Sequence, residues 1–279
     1  MTAPDPLRRR LVLGLGAAGA LAAAGGAWWL TGRSEGPGTA AATTTAAETT
    51  TTGRRTTTAA TSPPTSSTEA TTTQPTTIQP TRPAPEIIEV IGRAAWGAAA
   101  ATAAYTDHAV ERLTVHHTGR RLEHNRLAPQ RLRGHQRFHQ RDRGWVDLAY
   151  HYMIDAAGNV YESRPATAVG DTATDYDPAG HLLVCCEGNF DEQDLPAAQR
   201  AALVAVLAAA AAAHRVGADT ISGHRDHAAT SCPGAGLAAL LDDGRLVALV
   251  EEQITEGAPV LEISAGPDAA ARVRTIEQS

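Results

Sequence analysis

Residues 150–162 read Tyr-His-Tyr-Met-Ile-Asp-Ala-Ala-Gly-Asn-Val-Tyr-Glu, and this stretch decides the fold class. Its two ends, 150–155 and 160–162, are rich in aromatic and apolar side chains that favour strands. The Ala-Ala-Gly-Asn between them has the composition of a turn. The stretch therefore predicts a β-hairpin.

Short β-like runs and longer stretches of helical periodicity alternate on both sides of this hairpin. Further strands are predicted at 113–115, 181–186 and 220–221, and helices at 128–141, 196–214 and 236–250. The first helix should carry Leu132, His135 and Phe138 on one face. This alternation predicts one α/β (α+β) domain over residues 87–255. The Glu/Ala/Gly-rich residues 256–279 predict a flexible C-terminal tail.

The N-terminus carries the features of an export or anchoring segment. Arg8-Arg9-Arg10 precedes twenty uncharged residues, 11–30. This arrangement is typical of a signal peptide of twin-arginine-like type over residues 1–31. Twenty helical residues would also just span a bilayer core of ~30 Å, so an uncleaved membrane tether stays open. Either interpretation predicts an exported protein, in the cell envelope or secreted.

Residues 32–86 are predicted to be a disordered linker. Twenty threonines occur between positions 39 and 81, with Pro, Ala and Ser filling most of the rest. So few large apolar side chains cannot bury enough surface to fold. The net charge of −6, without a basic run beyond the N-terminus and scattered helix faces, argues against nucleic acid as a partner. We expect a monomer.

Three residues could form a catalytic zinc site, which needs three protein ligands and an open position for water. His224 and Cys232 are eight residues apart in a loop-like segment, and His116 ends a β run. A rigid strand end presents such a side chain well. The chain has eleven histidines, however, and most could be surface residues. From the residues alone, both interpretations stay open.

Read together, six segments resemble the N-acetylmuramoyl-L-alanine amidase type 2 and peptidoglycan recognition protein family. The resemblance covers about 150 residues, roughly 92–241, with order and spacing that fit throughout. The segments are Arg93-Ala94-Ala95-Trp96-Gly97-Ala98, Val115-His116-His117-Thr118, Gly144-Trp145-Val146-Asp147-Leu148-Ala149-Tyr150-His151-Tyr152, Gly158-Asn159-Val160-Tyr161-Glu162-Ser163-Arg164, Glu187-Gly188-Asn189-Phe190, and Gly223-His224-Arg225 with Thr230-Ser231-Cys232-Pro233-Gly234. The resemblance implies a central mixed β-sheet flanked by helices, with a zinc site in a groove on one face.

The resemblance also implies roles for individual residues. His116, His224 and Cys232 map onto the zinc ligands, and Tyr150 onto the catalytic tyrosine. Thr230 maps onto the residue two before the ligand cysteine. We expect Tyr150 and Thr230 to hydrogen-bond the attacking water and the tetrahedral oxyanion. No glutamate falls on a catalytic position of the family. We therefore expect zinc-bound hydroxide and Tyr150 to carry out acid/base catalysis without a carboxylate.

Substrate residues follow from the same resemblance. Gly144, Trp145 and Arg164 match positions that go with meso-diaminopimelate stem peptides, whose extra carboxylate an arginine can grip in a bidentate pair. His117, beside a ligand in sequence, is a further candidate lining the cleft. One segment departs from the family: residues 169–173, Val-Gly-Asp-Thr-Ala, lack the usual Gly-x-His.

The function expected from the sequence is a zinc-dependent hydrolase that cuts the amide between N-acetylmuramic acid and L-Ala of peptidoglycan. The main alternative is a non-catalytic peptidoglycan-binding module, in which the ligand cysteine is commonly replaced; Cys232 is present. A third interpretation makes the Thr-rich linker the functional part of a wall-spanning protein. A serine hydrolase is disfavoured, because no Gly-x-Ser-x-Gly occurs within the predicted domain, residues 87–255.

Overall fold

The computed structural model describes residues 84–279. Within this range the strands are β1 Ile87–Ile91, β2 Arg112–His117, β3 Tyr152–Ile154, β4 Val160–Glu162, β5 His181–Cys186, β6 Ile221–Gly223 and β7 Val260–Ser264. The helices are α1 Arg93–Trp96, α2 Ala128–Arg141, α3 Ala197–His214, α4 Ala235–Asp242, α5 Arg245–Gly257 and α6 Pro267–Gln278. The predicted signal or anchor and nearly all of the predicted linker lie outside the described residues.

All the strands form one mixed sheet in the order β6-β2-β5-β3-β4-β1-β7. The hairpin predicted from residues 150–162 is confirmed: β3 and β4 pair antiparallel, with Met153 opposite Tyr161. Every other neighbouring pair is parallel. Because parallel strands need crossover connections, helices lie between them along the chain and cover the sheet.

Two apolar clusters lie on the two faces of the sheet. One gathers α3, α4 and α5 against side chains such as Val115 and Cys186, and the other gathers α1, α2 and α6 around Met153 and Cys185. Cys185 and Cys186 thus face opposite sides, as their neighbouring positions on a strand require. The predicted fold, a central mixed sheet flanked by helices, is confirmed.

The most apolar helix, α3, is the core helix of the first cluster. It is the one helix among residues 84–279 that is long and apolar enough to cross a membrane, and more than half of it is buried within the protein. Leu203 and Leu207 are fully buried in it. Its apolar character is therefore explained by packing against the sheet.

The structure corrects two predictions about the C-terminal region. The helix expected over 236–250 is broken into α4 and α5, because Gly244 adopts a left-handed conformation with φ 73°. The flexible tail expected over 256–279 is wrong. β7 pairs with β1 along five residues, and α6 buries Ala269, Val273 and Ile276. Those three have the i, i+4, i+7 spacing of a packed helix face.

The prediction that Leu132, His135 and Phe138 share one face of α2 is also wrong in part. Leu132 lies on the buried side of the helix together with Gln136 and His139, whereas Phe138 is 46% exposed. Spacings of four and seven residues follow the helix turn more closely than three and six. Phe138 and His135 instead face a groove described below.

Candidate metal centre and groove

The three predicted ligands meet at the carboxyl ends of adjacent parallel strands. β2 pairs with β6 so that Val115 lies opposite Gly223. His116 and His224 follow these two residues directly, so their side chains emerge next to each other. Cys232 comes from the loop between β6 and α4. Carboxyl ends of parallel strands are where α/β sheets place their ligand sites.

The geometry of the three side chains suits a metal ion. Their ligand atoms all lie within 4.8 Å of one another. Cys232 Sγ is 3.6 Å from His116 Nδ1, and the two imidazole centroids are 4.6 Å apart. Zinc–sulfur and zinc–nitrogen bonds of about 2.3 and 2.0 Å at a tetrahedral angle give a ligand separation of about 3.5 Å. The Cys232–His116 pair matches this value.

Burial keeps both imidazoles neutral near pH 7. It lowers the pKa of His116 well below 6.5, with a smaller lowering from neighbouring His224, and lowers that of His224 to about 4. Burial also raises the pKa of the Cys232 thiol to about 12, which the amide of His117 partly offsets. Neutral imidazole is the ligand form of histidine, and a bound cation deprotonates a coordinating thiol.

The donor set fits zinc by its chemistry. Cys232 Sγ accepts a hydrogen bond from the amide of His117 at 3.3 Å, which favours a thiolate. Two imidazoles and one thiolate are a recognised catalytic zinc set that leaves one position open.

Tyr150 and Thr230 both lie at this centre, in different settings. The Tyr150 ring centroid is 5.2 Å from that of His116. Burial, with a smaller contribution from the Cys185 and Cys232 thiols, raises the pKa of Tyr150 well above 10, so its hydroxyl stays protonated. Thr230 Oγ1 accepts the amide of Cys232 at 3.2 Å, which shapes the ligand loop. The hydroxyl proton of Thr230 remains available for a second bond.

A groove of about 670 Å³ opens beside Tyr150. One wall is α2, which contributes His135, Phe138 and His139. The groove is strongly basic, since its lining includes Arg120, Arg121, Arg131 and Arg137.

Gly144 and Trp145 stand near this groove. The Trp145 ring packs 4.7 Å from His139, which lines the groove, and Gly144 supplies a left-handed turn with φ 70° just before it. Trp145 is half-buried. The structure thus places both residues next to the groove, at the end of α2.

Two predicted substrate residues do not fit that role. Arg164 is 3% exposed, and its guanidinium donates to the carbonyls of Leu148, Asp147 and Val169 and to the Asp171 carboxylate. Four of its five N–H donors are used inside the protein, so no free pair remains to hold a substrate carboxylate. The His117 ring is buried beside Phe190, whose amide donates to its Nδ1 at 3.3 Å. His117 serves the site through its backbone amide, which the sequence did not indicate.

Sequence reasoning missed three side chains near the site. His135 and His139 were expected to be structural or surface residues, yet both line the groove. Thr174 lies 2.6 Å from His224 Nε2. For the two histidines, their place on a predicted helix shortly before Tyr150 in the sequence was an available signal. Thr174 directly follows the segment that departs from the family, and the sequence offered no signal for it.

Comparisons with known proteins point to one family. A family model described as N-acetylmuramoyl-L-alanine amidase matches residues 106–235. Peptidoglycan-recognition protein SC1a/b of Drosophila simulans is 30% identical over 154 residues, which cover 53% of this chain and 80% of that protein. N-acetylmuramoyl-L-alanine amidase of Sus scrofa is 33% identical over 135 residues, covering 46% of this chain and 22% of that one.

A solved structure shows the same fold. It is peptidoglycan recognition protein-LE in complex with tracheal cytotoxin, a monomeric diaminopimelic acid-type peptidoglycan. The match has a TM-score of 0.52 at 23% identity and covers 58% of this chain and 98% of that chain. At this identity the likeness concerns the fold alone.

Proposed function

The chain belongs to the N-acetylmuramoyl-L-alanine amidase and peptidoglycan recognition protein family. We propose that it is an exported, zinc-dependent amidase that acts on peptidoglycan. The bond cut is the amide between N-acetylmuramic acid and L-Ala. The observation that carries the proposal is the convergence of His116, His224 and Cys232 beside a protonated Tyr150. A domain that only binds peptidoglycan has no need of this set.

The residues divide the work of hydrolysis as follows. His116, His224 and Cys232 would hold zinc, which when bound lowers the pKa of water toward neutrality and polarises an amide carbonyl. The Tyr150 hydroxyl donates a hydrogen bond to the oxygen that becomes negative as water attacks the carbonyl carbon. The free hydroxyl proton of Thr230 serves the same oxygen from the ligand loop. The C–N bond then breaks, and the leaving nitrogen takes up the two protons of the attacking water, so that a lactyl carboxylate and the ammonium group of L-Ala are released.

The basic groove supplies the binding surface for the stem peptide. Three of its four arginines, Arg120, Arg121 and Arg137, face a peptide that carries carboxylates, whereas Arg131 is paired with the buried Glu187 carboxylate at 2.6 Å. Complementary charge raises the local concentration of such a substrate and orients it. A relative in fold binds a diaminopimelic acid-type fragment, so we propose that peptides of this type occupy the groove. Because the Arg164 guanidinium is bonded to groups inside the protein, we assign the carboxylates of the stem peptide to the groove arginines.

The location of the protein follows from the function and the N-terminus. Peptidoglycan lies outside the cytoplasmic membrane, and residues 8–30 have the composition of an export signal or a tether. We therefore propose that the domain works in the cell envelope or after secretion.

Two substitutions test the catalytic proposal. Cys232→Ala should abolish zinc retention and hydrolysis together. Tyr150→Phe should keep the zinc and lower kcat by about 10²–10³-fold, the usual effect of losing one donor to the oxyanion. Cys186→Ala and Tyr152→Phe are matched controls, since Cys186 lies in the apolar cluster around α3 and Tyr152 packs against it.

The readout is release of stem peptide from purified peptidoglycan, alongside zinc content. Wild-type activity in either Cys232→Ala or Tyr150→Phe would reject the roles given to these residues. Zinc-loaded wild-type protein that binds peptidoglycan without cleaving it would instead support the binding-module alternative.

A further inference from the structure

A threonine directly after the segment that departs from the family pattern contacts a metal ligand. Thr174 Oγ1 lies 2.6 Å from His224 Nε2. Thr172 Oγ1 lies 2.7 Å from Thr174 Oγ1 and accepts the Thr174 amide at 3.1 Å. The three polar groups form a continuous hydrogen-bonded chain behind the imidazole of His224.

Zinc bound through Nδ1 of His224 would set the direction of each bond in this chain. With Nε2 engaged by Thr174, the remaining ring nitrogen of His224 that can bind a metal is Nδ1. A neutral imidazole that binds through Nδ1 carries its proton on Nε2. Nε2–H then donates to Thr174 Oγ1, and the Thr174 hydroxyl donates to Thr172 Oγ1. The opposite tautomer would put a proton where the metal should bind.

The loop that presents Thr174 is held firmly in place. The Arg164 guanidinium, buried beneath it, donates to the Val169 carbonyl and to the Asp171 carboxylate. The amide of Asp171 donates to the Ala149 carbonyl at 3.3 Å. On the other side, the Tyr176 ring packs 5.3 Å from His224. The hydroxyl of Thr174 is therefore presented from a defined position.

We propose that Thr174 is a positioning residue for the metal centre: it accepts the Nε2–H of His224 and so fixes both the tautomer and the ring orientation that leave Nδ1 free for zinc. This inference rests on the proposed zinc centre and adds a residue that supports a ligand from behind. Arg164 acts one step further out, by anchoring the loop. Partners of this kind commonly contribute 10–100-fold to metal affinity.

Zinc affinity of the full-length protein tests the proposal, measured by competition with a chelator of known affinity. Thr174→Val keeps the side-chain shape and removes the hydroxyl, and should weaken zinc binding about 10–100-fold. Thr174→Ser keeps the hydroxyl and should restore affinity to within a few-fold of wild type. Thr255→Val, which removes an exposed hydroxyl bond on α5, is the matched control and should bind zinc as wild type does.

Thermal unfolding of the zinc-free variants separates positioning from a general effect on folding. The Tm of zinc-free Thr174→Val should stay close to that of wild type. Equal zinc affinity in Thr174→Val and wild type would overturn the inference, as would a loss in Thr174→Ser as large as in Thr174→Val. A wild-type protein that binds zinc and shows this pattern but cleaves no peptidoglycan would reject the amidase function alone. Failure of wild type to bind zinc would reject both.

Discussion

Acid should destabilise this fold through His151, a histidine outside the metal centre. Its ring is fully buried, and both nitrogens are used: Nδ1 accepts the amide of Leu183 at 2.8 Å, and Nε2 donates to the carbonyl of Ala168 at 2.7 Å. A second proton would have to go on Nδ1, where it would face the Leu183 N–H. Burial accordingly lowers the pKa of His151 from 6.5 to about 3.

The sign and size of the effect follow from proton linkage. Between about pH 6.5 and 3 the unfolded chain protonates this histidine and the folded protein does not, so the free energy of unfolding falls as the pH falls. Above pH 6.5 His151 is neutral in both the folded and the unfolded state, so its contribution to stability is fully present. At pH 4.5, about two units lower, the loss from His151 is about 3 kcal/mol, at 1.36 kcal/mol per unit.

The assay is urea unfolding of wild type and His151→Gln at several pH values from 7 to 4.5, with chelator present so that metal release adds nothing. His151→Gln should be less stable at pH 7 but should lose about 3 kcal/mol less on acidification. His124→Gln, at an exposed position, should leave the pH slope unchanged. If the free energy of unfolding changed with pH by the same amount in His151→Gln and in wild type, the reasoning would be refuted.

Three further substitutions test the packing around the site. Gly234→Ala should destabilise the protein by more than Gly244→Ala, since both positions have positive φ but only at Gly234 would a Cβ meet His117 Nδ1 at 2.8 Å; equal changes in Tm would contradict this. Arg164→Gln should lower the free energy of unfolding by about 2–4 kcal/mol, because buried carbonyls lose their donor. A selective loss of diaminopimelate-type peptide binding at unchanged stability would restore its predicted substrate role. Leu207→Ala should cost about 2–5 kcal/mol in the same measurement, and a change below 1 kcal/mol would show that α3 is not the core helix.

The parts of the fold that the sequence predicts well are those with strong local patterns. The 150–162 hairpin carries its own turn, and the run 181–186 is apolar enough to be buried on both faces. The composition of the C-terminal residues indicates a flexible tail, whereas the spacing of their apolar residues indicates the strand β7 and the helix α6. Val260 and Leu261 begin a strand, and 269, 273 and 276 have helical spacing, although Glu, Ala and Gly surround them.

The sequence predicts those parts of the candidate site that depend on the type and spacing of individual side chains. His116, His224 and Cys232 were identifiable from type and register, and the structure brings them together. Arg164 was misjudged because a sequence does not show which carbonyls a buried guanidinium will meet. The amide of His117 and the hydroxyl of Thr174 were beyond prediction for the same reason: their contacts with Cys232 and His224 depend on how distant loops pack.

Mass spectrometry of peptidoglycan digested by the zinc-loaded protein tests the central proposal most directly. Cleavage at the lactyl amide predicts free stem peptides with an N-terminal L-Ala, together with glycan strands whose muramic acid carries a free lactyl carboxylate. Both products should disappear on chelation and return with added zinc. Products in which the peptide is still joined to muramic acid, or an undigested polymer in the presence of bound zinc, would contradict it.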